Sequence, residues 1–383
     1  MPVEQGRLDG GAVHLERLVG EDPDHQGAGR GRGEERHHQR HDQAPARGHR
    51  AAGGGARFPF FLGAFALGAI ALGHAGGLPR RRTERATFVL HARRAILGRV
   101  SPLEQIEIRV GAERFAALAT GEGPLVLLLH GFPDVPRSWA PVMEQLAGAH
   151  RCVAPWTRGY APSTLDGPFD ADRLAADAIG FADALSPDAP VLLVGHDWGA
   201  ATAYVACMRA PERFAGCVAI SVPHPLAFFA YMARHPGQLR RSAYMGFFQL
   251  PVLPERAIRR GDLVERLWRA WSPRLTPPRG HLAEVVETVR RSLPGPLAYY
   301  RAMARPPREA LARVVDARVE RISVPTAYLH GADDRCVRPE AARGQERYFQ
   351  EPLSSEVVEG AGHFLPLERP DAVARAVRRL QRA

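Results

Sequence analysis

The chain is predicted to be an α/β protein, a mostly parallel sheet flanked by helices, on three observations. First, Leu125–Leu129 and residues 191–194 are wholly apolar runs, the pattern of central parallel strands buried on both faces. Second, each run breaks at a glycine-bearing turn and passes into a helical stretch, so strand and helix alternate. Third, two further strand-like runs, 325–330 and Ser354–Val358, follow a long insert and end in turns that carry Asp and His.

The elements follow in order. Leu125–Leu129 ends in His130-Gly131-Phe132-Pro133-Asp134, a turn before a helical segment. Residues 191–205, VLLVGHDWGAATAYV, break at Gly195-His196-Asp197-Trp198-Gly199 into a small-residue helix. This strand, sharp turn and helix has the form of a nucleophile elbow with Asp197 at its apex. An Asp there serves either as a helix N-cap or as a nucleophile. A sixth strand reads at 216–222, and the insert after it, 223–318, reads as a mainly helical lid. Residues 100–222 and 319–383 would form the core around it.

Beyond the lid, the buried run 325–330 ends in Gly331-Ala332-Asp333-Asp334. The Gly-x-x-Asp spacing favours Asp334 as an acid past the strand end, with Asp333 the alternative. Ser354–Val358 alternates like a short strand and leads to Glu359-Gly360-Ala361-Gly362-His363-Phe364, a His on a glycine-rich loop. Nucleophile, acid and His thus follow three separate strands in sequence.

A carboxylate is ionised at neutral pH and can displace a leaving group from a saturated carbon, leaving an alkyl ester on the protein. His363, oriented by Asp334, would then take a proton from the water that attacks the ester. The backbone N–H groups of Phe132 and Trp198 can meet the oxyanion, each such donor being worth on the order of 10²–10³ in rate.

Five motifs carry a resemblance: HGFPD at 130–134, RGYAPS at 158–163, GHDWGA at 195–200, HGADD at 330–334 and GAGHFLPLERP at 360–370. On these, residues from about 104 to 383 resemble the α/β-hydrolase fold and, within it, the epoxide hydrolase branch. Esterases and lipases of that design carry Ser where this chain has Asp197. Haloalkane dehalogenases share the Asp and the following Trp, so the leaving group separates the two chemistries. Opening an epoxide makes an alkoxide that needs a proton, and a general acid there is worth roughly 10²–10⁴ in rate. The resemblance matches two segments of the insert, 244–249 and 295–301, to those holding the ring-opening tyrosines, at positions Tyr244 and Tyr300. Tyr231 and Tyr299 read as packing residues.

Many haloalkane dehalogenases place a halide-binding Asn where this chain has Phe132. Fluoroacetate dehalogenases follow the nucleophile with Arg where this chain has Trp198. One departure bears on the substrate entrance: relatives carry Asp before Arg-Gly-Tyr-Gly-x-Ser, and this chain reads Trp156-Thr157-Arg158-Gly159-Tyr160-Ala161-Pro162-Ser163. The expected activity is hydrolysis of a small apolar epoxide by water to a vicinal diol, through an ester on Asp197. A haloalkane-type dehalogenase and a non-catalytic ligand-binding relative are the alternatives. His130, Pro133, Trp198, Phe247 and Phe248 are the expected pocket residues. No cofactor and no metal is expected, since His196 and His330 lack ligand spacing.

Composition agrees with one catalytic unit and an appendage. Apolar content of 45% and charged content of 24% are globular values. Lysine is absent, and the formal charge of +10 is scattered, with no basic stripe interleaved with aromatics. Nucleic acid is therefore not an expected partner. Four cysteines without paired spacing read as reduced thiols of a cytoplasmic protein. Residues 1–99 form a low-complexity segment rich in Gly, His and Arg, read as disordered or as an over-extended gene start. Its apolar run at 58–73 would span about 24 Å as a helix, short of a ~30 Å hydrocarbon core, so membrane association is not expected.

Overall fold

The computed structural model describes residues 102–304 and 321–382. The expected appendage 1–99, its apolar run 58–73 and the last part of the expected lid, 305–318, lie outside the described residues. Eight strands form one sheet: β1 (Glu104–Val110), β2 (Glu113–Thr120), β3 (Leu125–Leu129), β4 (Arg151–Pro155), β5 (Val191–His196), β6 (Phe214–Ile220), β7 (Thr326–Gly331) and β8 (Ser354–Val358). Their spatial order is β1-β2-β4-β3-β5-β6-β7-β8. The β1–β2 and β2–β4 pairs are antiparallel, and every other pair is parallel. All carboxyl ends of β3 to β8 therefore open on one edge of the sheet, where loops from different strands converge.

Helices cover the sheet as the buried runs require, the first of them α1 (Ala140–Leu146). Every residue of β3 and β5 is buried. Leu127, Leu129 and Leu193 pack with Ala175 and Ala178 of α2 (Ala171–Leu185) and Ala203 of α3 (Trp198–Arg209). Side chains alternate along a strand, so Val126, Leu128, Leu192 and Val194 face the other way. Helix α2 starts at Asp170, whose side chain accepts the Arg173 N–H at 3.0 Å.

After β6 the chain runs through seven helices before β7, among the described residues: Pro225–Met232, Pro236–Arg241, Ala243–Phe247, Leu253–Arg260, Leu263–Trp271, His281–Arg291 and Gly295–Ala304. Among the hydrogen bonds that fasten this insert to the core, three reach the loops after β3 and β4. The Trp268 indole donates to Pro133 O at 2.7 Å, and the Ala161 N–H donates to Ser292 Oγ at 2.8 Å. The Tyr299 hydroxyl donates to Arg158 O. No helix among the described residues is long and apolar enough to cross a membrane.

Strand β6 differs from its expected bounds of 216–222, ending two residues earlier at Ile220. Ser221 takes a φ of 65°, which turns the chain, and its hydroxyl donates to His363 O at 2.8 Å. A serine that appeared to extend an apolar strand instead ends it and grips the loop that carries His363.

Close backbone approach shapes the elbow between β5 and α3. A Cβ at Gly199 would stand 2.1 Å from Leu129 O, and one at Gly195 would stand 2.2 Å from Gly199 O. Helix α3 can seat against β3 only where those side chains are missing. A Gly199→Ala variant is expected to lose at least about 1–3 kcal/mol of stability, the usual cost of overpacking. Urea unfolding measures this, and an unchanged midpoint and slope would contradict the account.

Candidate active site

Asp197 sits at the apex of the elbow with a φ of 54° and 5% exposure. A non-glycine residue held there costs on the order of 1–3 kcal/mol, which the surrounding contacts must offset. Its Oδ1 accepts the Phe132 N–H at 2.8 Å. A Cβ at Gly131 would come 2.4 Å from Asp197 Oδ1 and 2.6 Å from Trp198 N, so glycine is what lets the β3 loop close on the carboxylate. Asp197 Oδ2 lies 3.6 Å from His363 Nε2. One oxygen is thus held by a backbone donor, and the other is turned toward the imidazole.

Asp334 and His363 meet as their order in the sequence implied. His363 Nδ1 is 2.8 Å from Asp334 Oδ2. Asp334 Oδ1 accepts N–H bonds from Cys336 at 2.7 Å and Val337 at 3.0 Å, leaving neither oxygen free to rotate. Asp333, the alternative acid, instead pairs with Arg274 at 2.9 Å in a more exposed position. The His363 carbonyl accepts from His196 Nε2 and from Ser221 Oγ, each at 2.8 Å. Ser272, just past the helix Leu263–Trp271, accepts the Phe364 N–H at 3.1 Å and donates to Glu368 Oε2 at 3.0 Å. Glu368 Oε2 also takes the Gly362 N–H at 3.0 Å. The loop is therefore pinned on both sides of His363. Neither Ser272 nor Glu368 was singled out from the sequence, because a serine ending a helix reads as a cap.

The electrostatics follow from this geometry. Burial opposes charge on His363, but the Asp334 charge and the hydrogen bonds and charge of Asp197 outweigh it and raise the imidazole to about 10. Asp334 is opposed by its own burial, yet its pairing with His363 and His330 holds it well below the usual carboxylate range. At neutral pH His363 rests as an imidazolium, with Asp334 Oδ2 at 2.8 Å on one side and Asp197 Oδ2 at 3.6 Å on the other. Converting Asp197 to an ester would remove one of those negative charges and release the imidazole toward its neutral, basic form.

The insert brings both expected tyrosines over this site. Tyr244 lies in Ala243–Phe247 and Tyr300 in Gly295–Ala304, with ring centroids 5.8 Å apart. Tyr300 packs edge-on to Trp198 at 5.1 Å and to Phe132 at 5.5 Å. Its hydroxyl is buried, with the Trp198 and Tyr244 side chains as its neighbouring hydrogen-bonding groups, while the Tyr244 hydroxyl meets Cys336 Sγ at 3.6 Å. Burial pushes both phenols well above their ordinary range, and the Asp197 charge adds to the rise. Both therefore keep their protons. Tyr299 differs from its neighbour, being spent on the Arg158 carbonyl.

The expected pocket residues separate. Phe248 is fully buried and packs on Phe132 at 5.3 Å, Tyr300 at 5.0 Å and Tyr244 at 5.5 Å. Trp198 joins the same aromatic shell. Phe247 is half-buried behind it, 6.1 Å from the Phe248 ring. Pro133 gives its carbonyl to Trp268. His130 is occupied at both nitrogens, by Gly131 O at 3.0 Å and by the Thr157 N–H at 3.2 Å. Burial lowers His130 to about 4, so it is neutral and ties β3 to the loop after β4. Thr157, within the segment that departs from the family pattern, supplies that tie.

Replacing Asp197 by Asn should bring the His363 pKa down from about 10, because one of the two anions beside it is lost. NMR titration of the imidazole measures this, and an unchanged value would contradict the charge arrangement. The sign carries over to stability. A histidine raised above its unfolded value near 6.5 stabilises fully below that pH and loses the contribution as pH rises through about 10. The Asn variant should show a smaller loss of stability over that window.

Comparison with known proteins agrees with this fold. The profile of the Alpha/beta hydrolase family matches residues 126–376. Epoxide hydrolase 4 of Mus musculus is 30% identical over 284 residues, which cover 70% of this chain and 76% of that protein. Epoxide hydrolase A of Mycobacterium tuberculosis is 29% identical over 323 residues, covering 72% of this chain and 96% of that protein. Among solved structures, an epoxide hydrolase from metagenomes of hot environments superposes with a TM-score of 0.63 at 25% identity, covering 73% of this chain and 99% of its own. Bacillus megaterium epoxide hydrolase, solved with an inhibitor, shares the fold with a TM-score of 0.65 at 24% identity, covering 73% and 100%. By its sheet order, its elbow and these matches, the chain belongs to the alpha/beta hydrolase family, in its epoxide hydrolase branch.

Proposed function

We infer that the chain hydrolyses epoxides to vicinal diols through a covalent ester on Asp197. The observation that carries this reading is the pairing of an ionisable carboxylate at the elbow with two buried phenols that keep their protons. A halide leaves without a proton, whereas an epoxide oxygen needs one, and Tyr244 and Tyr300 are arranged to give it. In the first step Asp197 Oδ2 attacks a ring carbon and the ring C–O bond breaks. Its electron pair stays on oxygen, which takes a phenolic proton.

The second step uses the other side of the site. With Asp197 esterified, His363 gives up its resting proton to solvent and becomes the base that takes a proton from the attacking water, and the hydroxide attacks the ester carbonyl carbon. Negative charge develops on Asp197 Oδ1, already held by the Phe132 N–H at 2.8 Å. Collapse breaks the acyl C–O bond, and the imidazolium protonates the departing alkoxide to give the diol. The carboxylic acid left on Asp197 returns a proton to the phenolate, and His363 regains its resting proton from solvent. Asp334 keeps His363 oriented and balances its charge throughout.

The substrate class that fits this aromatic shell is a small apolar epoxide, with water as co-substrate. We place the protein in the cytoplasm, because its four cysteines are buried and unpaired, as in a reducing compartment. Neither nucleic acid nor a membrane is part of this reading.

Replacing His363 by Gln should stall the second step. Intact mass of the full chain after incubation with styrene oxide is expected to rise by the whole mass of the epoxide. After incubation with a bromoalkane it should be unchanged. An alkyl adduct lacking bromine would move the activity to dehalogenation, and no adduct from either reagent would leave a binding protein.

A further inference from the structure

Cys336 lies two residues past Asp334, is 1% exposed, and has no part in the steps above. Its surroundings are built around it. The N–H donates to Asp334 Oδ1 at 2.7 Å, and the carbonyl accepts from Gln238 Nε2 at 3.0 Å. Gln238 is fully buried; its Nε2 also donates to Ser242 Oγ at 3.0 Å, and its Oε1 accepts the Arg338 N–H at 3.0 Å. Ser242 precedes the short helix Ala243–Phe247 that carries Tyr244. The backbone of Cys336 is thus clamped between the acid of the triad and the start of the tyrosine's helix. Its Sγ stands 3.6 Å from the Tyr244 hydroxyl.

The chemistry of a proton donor makes this contact informative. A phenol cannot give substrate a proton that it is donating elsewhere. If the thiol donates to the phenolic oxygen, the phenolic hydrogen is free to turn toward the epoxide. As that proton leaves, the oxygen becomes an anion, and a hydrogen bond to an ionised acceptor is roughly twice as strong as a neutral one. Tyr300 meets no thiol; its neighbouring hydrogen-bonding side chains are Trp198 and Tyr244. The thiol gives Tyr244 a partner of its own to hold negative charge. Burial and the charges of Asp334 and Asp197 push the thiol well above its ordinary range. It stays an S–H donor, and no thiolate competes with Asp197 for the electrophile.

We propose that Cys336 is a positioning residue for ring opening, its S–H donating to the Tyr244 oxygen so that Tyr244 delivers its proton to the epoxide oxygen. The step balances without any redox change. The Asp197 Oδ2–carbon bond forms, the ring C–O bond breaks, and the proton passes from Tyr244 to the new alkoxide. The phenolate stays held by the thiol until ester hydrolysis returns a proton.

This rests on the epoxide reading above, and the test separates the two. Single-turnover formation of the Asp197 ester from styrene oxide is followed by rapid quench and mass spectrometry. The chains compared are wild type, Cys336→Ala, Cys336→Ser, Tyr244→Phe and the double variant Cys336→Ala with Tyr244→Phe. Cys336→Ala should slow ester formation about tenfold, the effect of one lost hydrogen bond, while leaving ester hydrolysis unchanged. Cys336→Ser should restore most of the rate, because a hydroxyl donates in the same place. In the Tyr244→Phe background the Ala substitution should have no further effect. Ester formation at the wild-type rate in Cys336→Ala overturns the proposal, as does equal slowing in the Tyr244→Phe background or slowing that Ser does not rescue. A wild-type chain that forms no ester from styrene oxide overturns the epoxide reading, and this proposal with it.

Discussion

Everything in the site depends on one strained residue, Asp197 held at a φ of 54° between β5 and α3. The elbow exists because Gly195 and Gly199 let the strand end, the turn and the helix come within van der Waals distance of β3. Gly131 then lets the next loop approach, so that a backbone N–H reaches the carboxylate. The same close packing that stabilises the core fixes Asp197 and the Phe132 N–H, the proposed nucleophile and oxyanion donor, relative to each other. The strain is small beside the burial that surrounds it, since every residue of β3 and β5 is buried.

A second layer of the design is charge. Two carboxylates flank one imidazole, and the resting state is held together by their mutual attraction. In the proposed mechanism, alkylation of Asp197 would do more than form a bond. It would remove the charge that keeps His363 protonated and prepare the base for the next step. The phenols respond in the opposite sense, since the Asp197 anion helps to hold their protons until the substrate oxygen needs one. The insert supplies this half of the chemistry and shuts it in an aromatic shell, where such charge effects are large.

Much of this was legible in the sequence, and the exceptions have physical causes. The apolar runs at β3 and β5 and the glycine turns after them read as strands because central parallel strands are buried on both faces. The edge strand β1, Glu104–Val110, is largely exposed and carries no such run, so only the family resemblance reached it. Strand β6 was extended too far because Ser221 and Val222 continue its apolar character, while the turn at Ser221 depends on the distant His363 carbonyl. The Gly-x-x-Asp spacing favoured Asp334 over Asp333 without a physical reason; the structure adds one, since the i+2 and i+3 amides of Cys336 and Val337 form an Asx-type turn that aims Asp334 at His363. Phe247 and Phe248 were both named, and at three and four residues after Tyr244 the helical period admits either; the ring that packs on Tyr244 is Phe248, at 5.5 Å. Cys336 gave no signal, because a buried cysteine normally reads as packing.

The central claim is that the attacking oxygen comes from the protein and not from water. A single turnover with enzyme in excess over an epoxide, run in ¹⁸O-water, tests it most directly. The account predicts that the diol of the first turnover contains no label and that the peptide carrying Asp197 gains one ¹⁸O. Label appearing in the first-turnover diol, with none in that peptide, would show direct attack by water and contradict it.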